Sequence, residues 1–277
     1  MLFRSIEAAK DAGYPAIHDY NAAVHEGFAH SQYSIRDGRR SSSAAAYLKP
    51  ALARKNLTVE TGALTTRVLM NGTKAYGVEY VQNGQTIHAN ADAEVILAGG
   101  AFNSPQILML SGIGPAAHLK DIGIAPILDL PVGKNLQDHV AALIMYTRPN
   151  PGPFRASMRL DRMSFGMLAA YLFGTGPATV VPGGLHAFVK TRPDLAVPDI
   201  EFMFRGLPSH AHMWFPGIKR PYVDGFGIRP TLLHPESRGE ILLASIDPRK
   251  PMRIVYNFFT APNDLPALRE EIGRAHV

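Results

Sequence analysis

A strand-to-helix junction with almost no side chains constrains the fold of this chain more than any other feature. The run "EVILA" at 94–98 is continuously apolar, and Gly99, Gly100 and Ala101 follow it. A short apolar run without alternation is typical of a strand that is covered on both faces of a parallel sheet. The next segment has a helical pattern, so we predict a buried strand, a tight turn and a helix.

The predicted helix start has the composition of a main-chain binding site. Asn103 or Ser104 is predicted to cap the helix, with Pro105 as its first residue. Amides at a helix start have no partner within the helix, and the helix dipole favours negative charge there. Glycine has no Cβ to block a ligand. The residues alone leave two alternatives open, namely an anionic cofactor at these amides or a closely packed turn without a ligand.

A β-meander is predicted before this junction, within residues 57–98. Strand-like runs are separated by Asn71-Gly72 and by Asn83-Gly84. Asn-Gly is a strong hairpin signal because both central residues of a type I′ turn need positive φ.

The second half of the chain predicts a different architecture. Between 141 and 230 Pro and Gly are dense, and "MSFGMLAAYLF" at 163–173 has the pattern of a buried helix. Several strand-like runs joined by long connections predict a second domain with a mostly antiparallel sheet. These runs lie at 185–191, 199–205, 225–233, 239–245 and 253–259.

Composition excludes several functional classes. The chain has 277 residues and no Cys, so it has no disulfide, thiolate metal site or thiol nucleophile of its own, and we expect a cytoplasmic location. The net charge of +5 comes from scattered basic residues, so we expect no nucleic-acid partner. No window approaches the ~20 apolar residues of a spanning helix, so no integral membrane segment is expected. No metal site is predicted.

The predicted turn and helix start at residues 99–104, which we call the glycine corner, overlap a longer motif. The stretch "GAFNSPQILMLSGIG" at 100–114 resembles the second signature of the glucose–methanol–choline (GMC) oxidoreductase family, whose members are FAD-dependent enzymes. Further blocks resemble the family in the same order, and the likeness covers most of residues 13–271. These blocks lie at 37–63, 77–80, 130–139 and 234–264.

The resemblance implies the fold and the domain limits. It implies an α/β FAD-binding domain that lacks its first βαβ unit, joined to an α+β substrate domain built on a mostly antiparallel sheet. We place the partial FAD-binding domain at 1–140, with 1–36 as a helical lead-in. The substrate-binding domain and the start of the family's C-terminal segment occupy 141–271. Residues 272–277 resemble translated adapter sequence and are expected to be a non-native tail.

The resemblance also implies the site residues. Thr65 stands where family members usually carry Val, and its backbone is expected to meet the adenine end of FAD. In "RGLPSHAHMWF", Arg205, His210 and Trp214 are candidates for the alcohol pocket, and the alternative is a loop with surface histidines. The predicted cofactor-binding residues are Thr65, Gly99, Gly100, Ala101, Asn103, Ser104 and Asn135.

Two parts of the family's machinery have no counterpart in this sequence. No G-x-G-x-x-G phosphate-binding spacing occurs, because each G-x-G pair lacks the third glycine. None of the eleven histidines lies in a motif that matches the family's catalytic pair, so no catalytic residue is assigned. We therefore expect a fragment of a longer enzyme, with negligible turnover by itself.

The implied activity is FAD-linked oxidation of the CH–OH group of an alcohol. In a full-length parent a His takes the hydroxyl proton while the hydride passes from the substrate carbon to flavin N5. One alternative is a flavin-containing lyase of the same family. Another is a non-catalytic fragment that binds no FAD. The alcohol and the electron acceptor are not specified by the sequence.

Overall fold

The computed structural model describes residues 2–179 and 184–276. A π-helical turn covers Ala44–Leu48 and a 3₁₀ turn covers Pro177–Thr179. The α-helices are α1 (Leu2–Asp11), α2 (Lys49–Ala51), α3 (Gly100–Leu110), α4 (Ala116–Asp121), α5 (Pro153–Ser157), α6 (Leu160–Phe173) and α7 (Asp264–His276). The strands are β1 (Gly27–His30), β2 (Ile35–Arg36), β3 (Arg39–Arg40), β4 (Leu64–Asn71), β5 (Lys74–Gln82), β6 (Gln85–Asn90), β7 (Ile113–Gly114), β8 (Leu128–Asp129), β9 (Lys134–Leu136), β10 (Val140–Ala141), β11 (Ile144–Thr147), β12 (Leu185–Val189), β13 (Ile200–Arg205), β14 (Gly225–Leu232), β15 (Gly239–Leu242) and β16 (Arg253–Val255).

The chain divides into two compact units. The meander unit consists of residues 56–138 and 236–261, and the sheet unit consists of 1–55, 139–235 and 262–277. One unit boundary therefore lies close to the domain boundary that the sequence places near residue 140. The assignment of 1–140 to the cofactor and 141–271 to the substrate stays a prediction. The predicted tail at 272–277 lies partly outside the described residues, and its described part continues α7 to His276.

The meander unit contains the predicted β-meander. Strands β4, β5 and β6 pair in that order, all antiparallel. Asn83 and Gly84 form the second turn with φ of 51° and 79°, as a type I′ turn requires. The first turn differs from the prediction by one residue, because Asn71 pairs with Lys74 and leaves Gly72 as the first central residue.

The core of the meander unit lies around α3. Met109 of α3 and Leu119 of α4 are fully buried, and Leu136, Ile241 and Leu243 pack with them. Leu136 and Ile241 belong to a second antiparallel sheet of order β16-β15-β9. Segments far apart in sequence therefore share one core, which fixes α3 in place.

The prediction of a strand at "EVILA" is wrong. Residues 94–98 belong to no helix or strand, and Ile96 is 77% exposed. A strand of a parallel sheet needs neighbours on its hydrogen-bonding edges, and no described segment pairs with this one. Among the strands of the described residues, only β7 and β8 pair in parallel, over two residues each, and isolated parallel bridges join Ala16 to Phe28 and Arg159 to Trp214.

The sheet unit confirms the mostly antiparallel sheet. Six strands take part: β1, β12, β13 and β14 lie side by side, and both β10 and β11 pair with β14. Every pairing in this sheet is antiparallel. One face is buried through Ala187, Val189, Ile200, Phe202 and Leu232.

Helix α6 forms at the predicted place, but its predicted burial is wrong. Phe165, Tyr171 and Phe173 are 76%, 75% and 74% exposed. Its buried residue is Gly166, which approaches the ring of Pro177. Within the described residues α6 thus buries a small-residue side and leaves large apolar groups exposed. In the part of the chain that the structure describes, no helix is long and apolar enough to cross a bilayer.

Glu79 of β5 is expected to make stability depend on pH. Its carboxylate accepts hydrogen bonds from Arg67 and Thr66 at 2.7 and 2.8 Å, and these bonds lower its pKa to about 2. A lowered pKa means that the stabilisation is complete above the ordinary pKa near 4.5 and disappears as pH falls towards about 2. Because Arg67 is half-exposed, we expect a loss on the order of 1–2 kcal/mol.

The measurement is the free energy of unfolding, obtained from urea titrations at pH values from 6 down to 2.5 that are spaced by about half a pH unit. Glu79→Gln should remove much of the pH slope. Glu94→Gln removes an exposed carboxylate from the same unit and serves as the control. An unchanged slope in Glu79→Gln contradicts the assignment.

Candidate functional site

The glycine corner exists, but α3 starts earlier than predicted. Gly99 precedes the first helical turn and Gly100 takes a φ of +80°. The predicted cap at Asn103 or Ser104 is wrong, because the helix begins at Gly100 and contains Pro105. The Ser104 hydroxyl instead accepts a hydrogen bond of 2.9 Å from the Gly99 N–H, so it closes the turn from inside the helix.

Main-chain amides at this corner lie in open surroundings. The N–H groups of Gly100, Ala101 and Phe102 precede the first bond that an α-helix can make internally. A Cβ built on Gly100 would meet no atom within 4 Å. Gly99 and Gly100 are exposed, so packed side chains do not cover the corner. The space that a side chain would occupy is available to a ligand.

A cavity of about 550 Å³ lies against this corner. One wall is the start of β4 with Thr65, and another is the α3 face with Asn103 and Ile107, next to Gly99. The structure therefore brings together three of the predicted cofactor-binding residues. Gly100, Ala101 and Ser104 belong to the corner but do not line the cavity.

Asn135 is not part of this cavity. It lies on β9 with a φ of +65°, in the left-handed region that Asn tolerates. The cofactor roles of Thr65, Asn103 and Asn135 stay predictions.

The cavity has a third wall that sequence reasoning missed. It consists of Pro248, Arg249, Lys250 and Pro251, which lie next to α3. Gln106 joins the two, because its side-chain amide nitrogen lies 3.2 Å from the Pro248 carbonyl oxygen and 3.3 Å from that of Lys250. The contact spans more than 140 residues of sequence, so no local pattern could have indicated it.

Ser111 fixes the β4 wall relative to α3. Its hydroxyl accepts a 2.8 Å hydrogen bond from the Val68 N–H and donates a 2.6 Å bond to the Ile107 carbonyl. The residue is buried at 6% exposure. Since Val68 follows Thr65 on β4, this hydroxyl also sets the distance between Thr65 and the helix.

Ser111→Ala is expected to lower the unfolding free energy by about 1–3 kcal/mol, because it leaves the buried Val68 N–H without its acceptor. The measurement is the midpoint of urea unfolding, monitored by circular dichroism. Ser111→Thr retains the hydroxyl and should recover part of the loss. Ser209→Ala, at an exposed position in the other unit, is the control. A midpoint equal to that of the unsubstituted chain contradicts the role of the hydroxyl.

The predicted substrate residues form backbone contacts in the sheet unit. The ring Nε2 of His210 lies 3.0 Å from the Val223 carbonyl oxygen. The Trp214 indole N–H donates a 2.8 Å bond to the Arg155 carbonyl. Arg205 lies exposed at the end of β13. These contacts support the loop alternative for His210, and the substrate roles of all three residues stay predictions.

Tyr222 lies beside the same loop and is almost fully buried, at 3% exposure. Burial, followed by the negative charge of Asp224, raises its pKa to about 12. Rings of His210 and His212 contact it edge-on at centroid distances of 6.3 and 5.7 Å. Among the described residues, no group of three or more His, Asp or Glu side chains could hold a metal ion.

The glycine corner at the start of α3 and the mostly antiparallel sheet match the fold class that the resemblance implies, the FAD-binding fold of GMC-type proteins. The family model described as GMC oxidoreductase matches residues 4–141. The chain belongs to the glucose–methanol–choline oxidoreductase family, which confirms the resemblance found in the sequence.

Named relatives agree with this assignment. Human mitochondrial choline dehydrogenase is 40% identical over 269 residues, which cover 95% of this chain and 44% of the relative. The oxygen-dependent choline dehydrogenase of Staphylococcus haemolyticus is 38% identical over 268 residues, covering 95% of this chain and 46% of the relative.

A solved structure extends the likeness to nearly the whole chain. Formate oxidase of Aspergillus oryzae, an enzyme whose FAD is modified, has a TM-score of 0.81 at 26% identity, over 99% of this chain and 52% of that chain. The chain thus spans about half the length of the relatives that it matches.

Proposed function

We propose that this chain provides part of the FAD site of an oxidoreductase that acts on the CH–OH group of alcohols. The observation that carries the proposal is the cavity between β4 and α3, which opens at the glycine corner and is lined by Thr65, Gly99 and Asn103. Its volume of about 550 Å³ accommodates the adenosine part of a dinucleotide.

The residues at the corner fit the chemistry of that cofactor. FAD carries two phosphate groups, and the amides of Gly100 and Ala101 lie at a helix start whose dipole favours negative charge. The cavity lining contains no Asp or Glu side chain. Thr65 lies at the start of a strand whose backbone can hydrogen-bond an adenine edge.

The chain's own residues hold and orient the cofactor. When bound, the flavin supplies the hydride acceptor for oxidation of the alcohol carbon. Ser111 and Gln106 keep two walls of the cavity at fixed positions relative to α3. The alcohol substrate and the electron acceptor belong to the full-length enzyme, and the choline dehydrogenases among the relatives make choline the first alcohol to test.

The test is a titration of the purified 277-residue chain with FAD, monitored by flavin fluorescence and calorimetry. Asn103→Trp places a large ring in the cavity from an exposed helix position, and we expect it to weaken FAD binding at least about tenfold. Ala117→Trp, at an exposed position of α4, should bind FAD as the unsubstituted chain does. Absence of FAD binding by the unsubstituted chain contradicts the proposal and supports a fragment that binds no FAD.

A second measurement addresses catalysis. We expect no dye-linked oxidation of choline or other alcohols by this chain alone, because it offers no assigned base at the reacting carbon. Turnover by the purified chain contradicts that expectation. In a full-length parent, bleaching of the flavin by substrate supports the oxidoreductase, whereas substrate conversion without bleaching supports the lyase.

A further inference from the structure

The third wall of the cavity carries two positive charges. Arg249 and Lys250 both line the cavity, and both are exposed. All other lining residues are uncharged. A cavity with two cations and no carboxylate in its lining attracts an anion.

The segment that carries these cations has a fixed shape. The Arg249 N–H donates a 3.0 Å hydrogen bond to the Asp247 carboxylate, and the Lys250 N–H donates a 3.0 Å bond to the Asp247 carbonyl. The Asp247 N–H in turn donates to the Ser245 hydroxyl at 3.1 Å. Proline on both sides, at 248 and 251, restricts φ further.

Gln106 ties this turn to the helix that bears the glycine corner. Its amide lies within hydrogen-bond distance of the carbonyl oxygens of Pro248 and Lys250, which flank Arg249. Helix α3 and the turn at 248–251 therefore both line this cavity, and the Gln106 hydrogen bonds connect them. A ligand in that cavity would meet uncharged groups from β4 and α3 and positive charge from the turn.

We infer that Arg249 and Lys250 bind a phosphate group of the dinucleotide, and that Gln106 positions them. The inference rests on the proposed FAD site and assigns to this turn the electrostatic part of binding. Guanidinium and ammonium groups form charge-assisted hydrogen bonds with phosphate oxygens, and these are stronger than neutral ones.

The test compares ADP with adenosine as probes of the intact 277-residue chain by calorimetry. We expect ADP to bind at least about tenfold more tightly than adenosine, with an affinity that falls as salt rises. The double variant Arg249→Gln with Lys250→Gln should lose that preference, through a fall in ADP affinity that exceeds any change in adenosine affinity. Lys74→Gln with Lys120→Gln removes the same net charge from exposed positions of the same unit and should keep the preference.

Gln106→Leu tests the positioning role. It removes both hydrogen bonds to the turn, so ADP affinity should fall by a larger factor than adenosine affinity, and the preference for ADP should shrink. Equal loss of ADP and adenosine affinity would indicate a general structural role and contradict positioning. A double variant that retains the ADP preference overturns the inference.

Two outcomes in the unsubstituted chain separate the inference from the proposed function. If the chain binds FAD but prefers ADP no more than adenosine, the inference is overturned and the FAD site stands. If the chain binds neither FAD nor ADP, both are overturned.

Discussion

Gly133→Ala is expected to unfold the meander unit or to destabilise it by about 4 kcal/mol or more, since it combines two named sources of strain. Gly133 has a φ of +81°, which side-chain-bearing residues rarely adopt. A Cβ there would lie 2.2 Å from the Ile241 carbonyl oxygen, which is backbone and cannot move aside alone. The Ile241 N–H also donates a 2.7 Å bond to the Gly133 carbonyl.

Gly123→Ala provides the matched control. Gly123 has nearly the same φ, +85°, but an added Cβ would meet no atom within 4 Å. Only the cost of a positive φ for a residue with a side chain remains, so we expect the free energy of unfolding to fall by about 1 kcal/mol. The measurement is urea unfolding by far-ultraviolet circular dichroism. Trp214, the only tryptophan, lies in the sheet unit and reports on that unit separately by fluorescence. Equal losses in the two variants would contradict the clash with Ile241.

Local patterns predicted the elements that depend on local chemistry. The Asn83-Gly84 turn needs only the positive φ of its own residues, and alternation along β12 and β13 reflects one buried face of an antiparallel sheet. Because these features are encoded within a few residues, the sequence predicts them correctly.

The predictions that were wrong or missing concern features that depend on distant parts of the chain. "EVILA" has the composition of a buried strand, but a strand requires hydrogen-bonding neighbours, and none of the described segments supplies them. The predicted helix cap was wrong because the helix begins at Gly100, and the Ser104 hydroxyl accepts a hydrogen bond from the Gly99 N–H within the helix. The segment 248–251 joins the site through Gln106, and that contact is visible only in three dimensions.

The candidate site was therefore predicted in part. The sequence located Thr65, Gly99 and Asn103, which do line one cavity. It did not locate the only two charged residues of that lining, Arg249 and Lys250. Glycine turns have a recognisable backbone requirement, whereas an exposed Arg or Lys has no local signature of binding.

Asp224→Ala is expected to destabilise the sheet unit by about 3–5 kcal/mol, the range for disrupting a buried charge and its hydrogen bonds. The Asp224 side chain is 1% exposed, and Arg148, 12% exposed, lies 3.9 Å away. Its carboxylate accepts hydrogen bonds from the N–H groups of Gly152 and Gly225. The substitution removes the acceptor of both amides and the negative charge beside a buried guanidinium.

Two further variants separate these contributions. Asp224→Asn keeps an oxygen acceptor and removes only the charge, so we expect an intermediate loss of about 1–2 kcal/mol. Asp194→Ala breaks an exposed pair with Arg192, whose atoms lie 3.5 Å apart, and should cost less than about 0.5 kcal/mol. The measurement is urea unfolding followed by Trp214 fluorescence. Because Val223, the residue before Asp224, provides the carbonyl that His210 contacts, loss of this anchor should also loosen the loop that holds His210. An Asp224→Ala variant as stable as Asp194→Ala would show that the carboxylate does not anchor this loop.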